Sequence, residues 1–98
     1  MWVTEGNKLS PNVGDLLADT GALSVASLAT TILVSCDDDA AFVIHHRNAL
    51  NTADLQAHRV AEFGYFFKLQ VTFALVLNER ITITADTVKG NIQASIMW

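Results

Sequence analysis

Apolar and polar residues alternate along the second half of the chain, most clearly in residues 65–77, YFFKLQVTFALVL. The odd-numbered positions of this segment are all apolar or aromatic, whereas Lys68, Gln70 and Thr72 fall among the even-numbered ones. Successive side chains of a strand point to opposite faces, so this period of two predicts a β-strand with one buried face. The length of the segment predicts a central position for this strand in the fold.

Two shorter segments nearer the C-terminus show the same alternation. In ITITA, Ile81 and Ile83 alternate with threonines, and the polar segments NER and DTVKGN before and after it predict turns. The closing segment IQASIMW predicts a last strand rather than a loose tail. One face of that strand carries Ile92, Ala94, Ile96 and Trp98.

The middle of the chain contains two β-branched, apolar segments, TTILVSC and AAFVIHHRN, on either side of Asp37, Asp38 and Asp39. Two strands joined by a short polar turn predict a β-hairpin. Like-charge repulsion among the three carboxylates predicts that the tip of this hairpin faces solvent. An EF-hand calcium loop would need spaced acids, a central glycine and a terminal glutamate, and the sequence has none of these here.

Three segments leave alternatives open. Residues 13–23 are compatible with a short helix or an irregular strand with Gly21 in a turn, and residues 52–64 with one helical turn or a short strand. For residues 24–34 the threonines and β-branched residues favour a strand over a helix. Residues 1–21 are expected to form either a docking arm or an irregular strand.

These elements predict one all-β domain over residues 1–98, an antiparallel β-sandwich that is jelly-roll-like. Ninety-eight residues are enough for one modest core. Several strands at roughly ten-residue spacing are typical of a sandwich or jelly roll. The inner faces of two such sheets bury each other.

The composition indicates that part of the surface is covered by another chain. Hydrophobic residues make up 51% of the sequence and charged residues 16%, and the mean hydropathy is +0.33, which is high for a soluble monomer of this size. No apolar run approaches the roughly 18 residues of a membrane helix, and the opening MWVTEGNKLS is unlike an export signal. A net charge of −4 without a basic cluster argues against nucleic-acid binding.

The candidate chemistry is sparse. His45 and His46 are adjacent in a predicted strand and therefore point to opposite faces, so they are poorly placed to share a metal ion. We expect one of them to pack inward, bonded to backbone, and the other to face water or a neighbouring subunit. The single Cys36 has no partner in the chain for a disulfide and is expected to be a small buried residue. No nucleophile motif is present, so we predict no catalytic residue, no metal and no cofactor.

The polar segment HHRNALNTADLQ is better explained as a structured connection. The side chains of Asn48 and Asn51 can bond nearby backbone groups, and Arg47 can pin the connection to a carboxylate or carbonyl. A contact with a sugar or a protein through the same polar groups is the functional alternative. For an interaction surface we name Arg47, Asn48 and Asn51 together with three aromatic residues, Trp2, Tyr65 and Trp98. The two tryptophans suit an intersubunit contact, although core packing suits Trp98 equally well.

The C-terminal two thirds of the chain, from about Ile32 onward, resembles small virion proteins of tailed bacteriophages, in particular β-sandwich capsid decoration or head-associated proteins. Three segments carry the resemblance: RNALNTA in residues 47–53, NER in residues 78–80 and GNIQASI in residues 90–96. The resemblance implies a non-enzymatic structural protein, present in many copies, that binds the phage shell and its own copies.

The partners implied are therefore the major capsid protein or other virion proteins and a homo-oligomer, for which a trimer is one option. Neither nucleic acid nor a membrane is expected as a partner. The protein would be made in the host cytoplasm and reside in the virion. Two alternatives stay open: a phage tail or fibre component, and a carbohydrate-binding or adhesion module with Tyr65 as an aromatic platform.

Overall fold

The computed structural model describes residues 1–4 and 7–98, with the backbone alone at residues 62 and 63. These described residues form nine β-strands and no helix. The strands are β1 (Trp2–Thr4), β2 (Lys8–Leu9), β3 (Leu16–Asp19), β4 (Ser27–Cys36), β5 (Ala40–Arg47), β6 (Asp54–Phe63), β7 (Phe66–Ala74), β8 (Arg80–Val88) and β9 (Asn91–Met97).

The strands form two antiparallel sheets that pack face to face as a β-sandwich. The first sheet has the order β1-β9-β4-β7, with the short β2 also paired with β9, and the second sheet has the order β3-β8-β5-β6. The all-β sandwich predicted from the sequence is thus confirmed. Most consecutive strands lie in different sheets, so the chain crosses repeatedly between the two layers.

The core lies between the sheets and consists of the alternate residues that the period of two predicted. Ile32 and Val34 of β4 are fully buried, and so are Ile92 and Ile96 of β9. The second sheet supplies the opposite wall. Its fully buried large side chains are Leu17, Phe42, Ile81 and Ile83. The rings of Phe42 and Phe67 meet edge to face across the core, with centroids 5.2 Å apart.

The predicted hairpin of β4 and β5 is wrong. β4 pairs with β7 and β9 in the first sheet, whereas β5 pairs with β6 and β8 in the second. The turn at residues 37–39 is exposed, as predicted, but it carries the chain from one sheet to the other. The reason is burial: each of these strands has an apolar face, and stacking the two faces buries both, which in-plane pairing would not.

The expected central position of the long strand is also wrong. β7 is an edge strand of the first sheet, and among the described residues it pairs with β4 alone, over nine residues. Its alternation is as predicted, because Phe67, Leu69, Val71 and Phe73 point inward and are half-buried while the intervening residues are exposed. Leu77 and Tyr65, which extend the pattern in the sequence, lie outside the strand and are exposed.

The segments for which the sequence left a helix or a strand open contain strands in the structure. The segment 13–23 contains β3, Gly21 adopts a positive φ of 73° in the turn after it, and the segment 24–34 contributes to β4. Residues 54–63 form a ten-residue strand and not a helical turn. In the N-terminal region, β1 and β2 pair with β9, and β3 pairs with β8 in the other sheet. The DTV part of the predicted DTVKGN turn belongs to β8.

Two features of this fold position the candidate sites. β6 and β7 are the edge strands of opposite sheets, and only Gly64 and Tyr65 connect them, the latter with a φ of 51°. At the far ends of these strands the loops 48–53 and 75–79 lie at the same end of the sandwich. They do so because Arg47, before the first loop, pairs with Arg80, after the second.

Candidate functional site

The β5–β6 connection, residues 48–53, is held by its own polar groups. The Asn48 side-chain oxygen accepts hydrogen bonds from the backbone N–H groups of Thr52 (2.8 Å) and Ala53 (3.3 Å). The Asn48 backbone N–H in turn donates to the Ala53 carbonyl, and Asn51, with a φ of 55°, donates to the Asn48 carbonyl. Asparagine suits both places because it bonds nearby backbone and tolerates a positive φ.

Arg47 fastens this loop to the sheet. Its guanidinium donates to the side-chain oxygen of Asn51 (3.0 Å), to the Asn51 carbonyl (3.1 Å) and to one oxygen of Asp54 (2.8 Å). These are the carboxylate and carbonyl contacts that the sequence predicted for Arg47. The polar loop is therefore held by hydrogen bonds within the chain, with the donors of Arg47 directed to Asn51 and Asp54.

The other oxygen of Asp54 belongs to a chain of three side chains on the outer face of the second sheet. His45 Nδ1 lies 2.8 Å from Asp54 Oδ2, and His45 Nε2 lies 2.7 Å from the hydroxyl of Thr84 on β8. A cavity of about 360 Å³ adjoins this chain. Its lining includes Leu16, Asp19, Arg47 and Thr82 besides His45 and Thr84.

Thr84, His45 and Asp54 are arranged in the order of a nucleophile, a base and a residue that orients the base. Burial acts to raise the pKa of Asp54, but hydrogen bonds from Arg47 and His45 outweigh it and leave that pKa below its ordinary value of 3.8. The carboxylate is thus ionised at neutral pH and shared between two partners. Since Arg47 also neutralises this carboxylate, Asp54 has less charge with which to stabilise a protonated His45.

His46 points to the other face, as the alternation predicted for adjacent histidines. Its Nε2 lies 2.9 Å from Glu79 Oε1, and both side chains are buried between the sheets. The expected backbone partner is wrong: the bond goes to a carboxylate. Glu79 also accepts the N–H of Val76 at 2.7 Å, and this bond, ahead of the one from His46, keeps the pKa of Glu79 below its ordinary value of 4.5.

An open groove runs between the sheets where β6 and β7 diverge. It has a volume of about 500 Å³ and two unlike walls. The wall on the first sheet is apolar and consists of Leu69, Val71 and Phe73, and the wall on the second sheet includes the polar side chains of Gln56 and His58. Inward-facing apolar side chains of β7 therefore stay partly exposed to solvent in the isolated chain.

The aromatic residues named from the sequence lie in different places. Trp2 on β1 is 68% exposed, and Tyr65 at the β6–β7 corner is 71% exposed. Trp98 packs against the core and its backbone N–H donates to the Met1 carbonyl. The structure thus brings together Arg47, Asn48 and Asn51 in one loop, but places the three aromatic residues elsewhere. Phe66, next to Tyr65, is also 60% exposed.

Cys36, at the end of β4, is half-buried. Burial raises the pKa of its thiol, although backbone hydrogen bonds from Asp38 and Tyr65 oppose this. The thiol is therefore mainly protonated at neutral pH, which makes it a poor nucleophile. Within residues 1–4 and 7–98 no three metal-ligating side chains come together in a group that could hold a metal ion.

Sequence reasoning missed the partners of both histidines. Thr84 is 39 positions from His45 and Glu79 is 33 positions from His46, so local spacing contained no signal for either pair. The alternation of side chains between the two faces of each strand contained a usable signal. A residue on β8 can bond its neighbour on β5 when both face the same side of the sheet. To use this signal, one must already know that β5 and β8 are adjacent.

Comparison with models of protein families, with curated proteins and with solved structures found no match to this chain. Among the residues that the structure describes, none forms a helix long and apolar enough to cross a membrane.

Proposed function

We propose that this chain is a non-enzymatic structural subunit of a virus particle, a decoration protein that binds the shell of a tailed phage and its own copies. The observation that carries this proposal is the order of the strands. The sequence resemblance to phage head proteins, which rests on the segments RNALNTA, NER and GNIQASI, points the same way.

The strand order supports a jelly roll as the form of this β-sandwich. With β1 and β2 counted as one interrupted strand, eight strands form two four-stranded sheets, ordered β1-β9-β4-β7 and β3-β8-β5-β6. This is the order expected when two Greek keys are wound together, and the jelly roll is an architecture of viral capsid and lectin domains. A fold alone does not establish a function, so the surface has to supply the second argument.

Four of the exposed large apolar side chains lie at one end of the sandwich. Val76 is 69% exposed and Leu77 is 61% exposed in the loop 75–79, and the neighbouring loop and strand β6 expose Leu50 and Leu55. Large exposed apolar side chains that lie close together on a small domain indicate a surface that another protein covers. We name these four residues the leucine-rich end, and we propose it as the face that meets the shell.

The experiment is co-sedimentation with phage particles. Purified chain is mixed with particles of the phage from whose genome it comes, stripped of minor head proteins, and the particles are pelleted and imaged by cryo-electron microscopy. We expect saturable binding at repeated positions on the head, and a Leu77→Glu, Leu50→Glu variant that no longer pellets. A Lys8→Glu variant at the other end of the first sheet should still pellet. Absence of binding to heads would contradict the proposal, and binding confined to tails would replace it with a tail or fibre role.

A carbohydrate-binding or adhesion module is the second candidate, and one observation favours it. Tyr65 and Phe66 are adjacent, exposed aromatic residues at a corner beside the acidic turn 37–39, and sugars stack on such platforms. A glycan array tests this directly. Binding that disappears in Tyr65→Ala and persists in Trp2→Ala would support the carbohydrate role over the virion role.

A further inference from the structure

The edge of β7 is an unprotected strand edge. Within the described part of the chain, β7 pairs with β4 on one side and no strand pairs with its other side. It is nine residues long, contains no proline, and carries one charged residue, Lys68. Proteins normally guard such an edge with prolines, several charges or a bulge, because its free N–H and C=O groups pair readily with another strand.

The sequence of β7 is nearly symmetric about its middle residue, Gln70. On the inner face Phe67 and Leu69 precede it and Val71 and Phe73 follow it at the same distances. On the outer face Lys68 and Thr72 lie at equal distances on either side. An interface between two identical copies about a twofold axis requires a surface that is complementary to itself, and this strand has such a pattern.

We infer that a second copy of this chain pairs its β7 antiparallel to β7 of the first, with the two Gln70 residues opposite each other. In this register Phe67 faces Phe73 of the second copy, and Leu69 faces its Val71. All four inner-face pairs are apolar, and they extend the core of one copy into that of the other. The groove side chains Leu69, Val71 and Phe73, half-exposed in the isolated chain, are covered by the pairing.

The electrostatics of the pairing are favourable. Lys68 lies opposite Thr72 of the second copy, and the two lysines are four positions apart along the strand, about 14 Å. This separation exceeds the Debye length of about 8 to 10 Å at ordinary ionic strength, so their repulsion is largely screened. The two Gln70 side chains can donate to each other through their amides.

The area is sufficient for a stable contact. Nine residues of strand extend for about 30 Å, and the shorter dimensions of the molecule are 23 and 21 Å. A contact along this side of the sandwich therefore buries on the order of 600 Å² per copy, or about 1,200 Å² in total, which is the lower end of the range for specific interfaces. The inference rests on one part of the proposed function, the association of the chain with its own copies, and does not depend on binding to the shell.

The test is the oligomeric state of charge variants at position 70, measured by analytical ultracentrifugation of the full chain. Gln70 is exposed in the isolated chain, so Gln70→Lys and Gln70→Glu should fold, with a far-UV circular dichroism spectrum like that of the wild type. Each variant places like charges opposite each other and should weaken dimerisation about tenfold or more. An equimolar mixture of the two variants places opposite charges together and should restore the dimer.

Two controls separate this edge from other surfaces. Ser35→Lys adds the same charge to the exposed outer face of β4, and Thr87→Lys adds it to an exposed position of β8 that does not line the groove. Both should leave the dimer intact. The inference is overturned by a wild-type chain that stays monomeric at every concentration, by a dimer that the position-70 variants leave intact, or by a mixture that fails to restore it.

The same variants distinguish the two proposals. If the wild-type chain dimerises through β7 but does not pellet with phage heads, the proposed function fails and the inference stands. If it pellets and the position-70 variants pellet equally well as monomers, the inference fails and the proposed function stands.

Discussion

The imidazole of His46 and the carboxylate of Glu79 form a buried pair, with Nε2 2.9 Å from Oε1. His46 lies on β5 and Glu79 ends the loop 75–79 just before β8, and the ring of Phe73 from the other sheet packs edge to face on His46 at 6.1 Å. The pair therefore joins the two sheets beside the groove. Its carboxylate also accepts the N–H of Val76 and so fixes the start of the loop 75–79.

Glu79 makes folding stability depend on pH in the acidic range. Its pKa in the folded chain is below the ordinary 4.5 because the Val76 N–H and His46 bond the ionised form. A lowered folded-state pKa stabilises the fold above the ordinary value, and this contribution is lost as the pH falls through the folded pKa. We expect the free energy of unfolding, from urea titrations, to decrease below pH 4.5 more steeply for the wild type than for Glu79→Gln. Parallel curves would contradict this.

Thr84 and His45 supply a second prediction. Replacing Thr84 by Val removes the hydroxyl that bonds His45 Nε2 and leaves that nitrogen without its partner, which costs about 1 kcal/mol of unfolding free energy. Thr87→Val, at an exposed position on the same strand, is the matched control and should change stability by less than about 0.5 kcal/mol. Equal effects of the two substitutions would mean that the hydroxyl of Thr84 adds nothing.

The same substitution tests whether the Asp54–His45–Thr84 chain performs catalysis. If it is structural, as we propose, the wild type and Thr84→Val should release p-nitrophenol from p-nitrophenyl acetate at the same rate. Intact-protein mass spectrometry should find no acetyl group on Thr84. A wild-type rate well above that of the variant, with acetylated Thr84, would contradict the non-enzymatic assignment.

The sequence predicted the strands of this fold better than their arrangement. Alternation is a local property, so ITITA, IQASIMW and the centre of the YFFKLQVTFALVL segment could each be recognised without knowledge of their partners. Which sheet a strand joins depends on what covers its apolar face. The acidic turn at residues 37–39 was compatible both with a hairpin and with a crossing between sheets, and only the stacking of β4 on β5 decides between them.

For the candidate site, too, the sequence predicted the local features but not the contacts between distant residues. The opposite directions of His45 and His46 follow from adjacency in a strand, and the self-bonded loop follows from its asparagines. The hydrogen bond between His46 and Glu79 and the groove beside β7 depend on contacts between distant parts of the chain. The length of the β7 segment suggested a central strand, but length does not determine position in a sheet, and an edge strand can be as long when its one neighbour is long.

The core makes a further prediction. Phe42 is fully buried and contacts the ring of Phe67 in the opposite sheet, so Phe42→Ala should reduce the free energy of unfolding by about 3 to 5 kcal/mol. Phe66→Ala, at an exposed position, removes the same atoms and should cost less than about 1 kcal/mol in the isolated chain. Urea denaturation measures both. A small effect at Phe42 would show that the sheets do not pack through this residue.

Gly90 and Asp37 give the last prediction. A Cβ added at Gly90 would overlap the Asp37 carboxylate, which accepts hydrogen bonds from the backbone N–H (2.7 Å) and side-chain amide (3.2 Å) of Asn91. Gly90→Ala should therefore displace the carboxylate and cost about 1 to 2 kcal/mol. Because the overlapping atoms belong to a side chain, Asp37→Ala should remove the overlap and leave only the closer contact with Asp38 Cβ at 3.3 Å. The double variant should then be hardly less stable than Asp37→Ala alone.

This double-mutant cycle separates crowding from backbone strain. If Gly90 were required for its backbone conformation, the costs of the two substitutions would add. Asp39→Ala, in the same exposed turn, is the control and should neither cost more than about 0.5 kcal/mol nor relieve Gly90→Ala. We explain the glycine at position 90 by the Asp37 carboxylate, which occupies the place of a Cβ. Additive losses of unfolding free energy in urea denaturation would contradict this explanation.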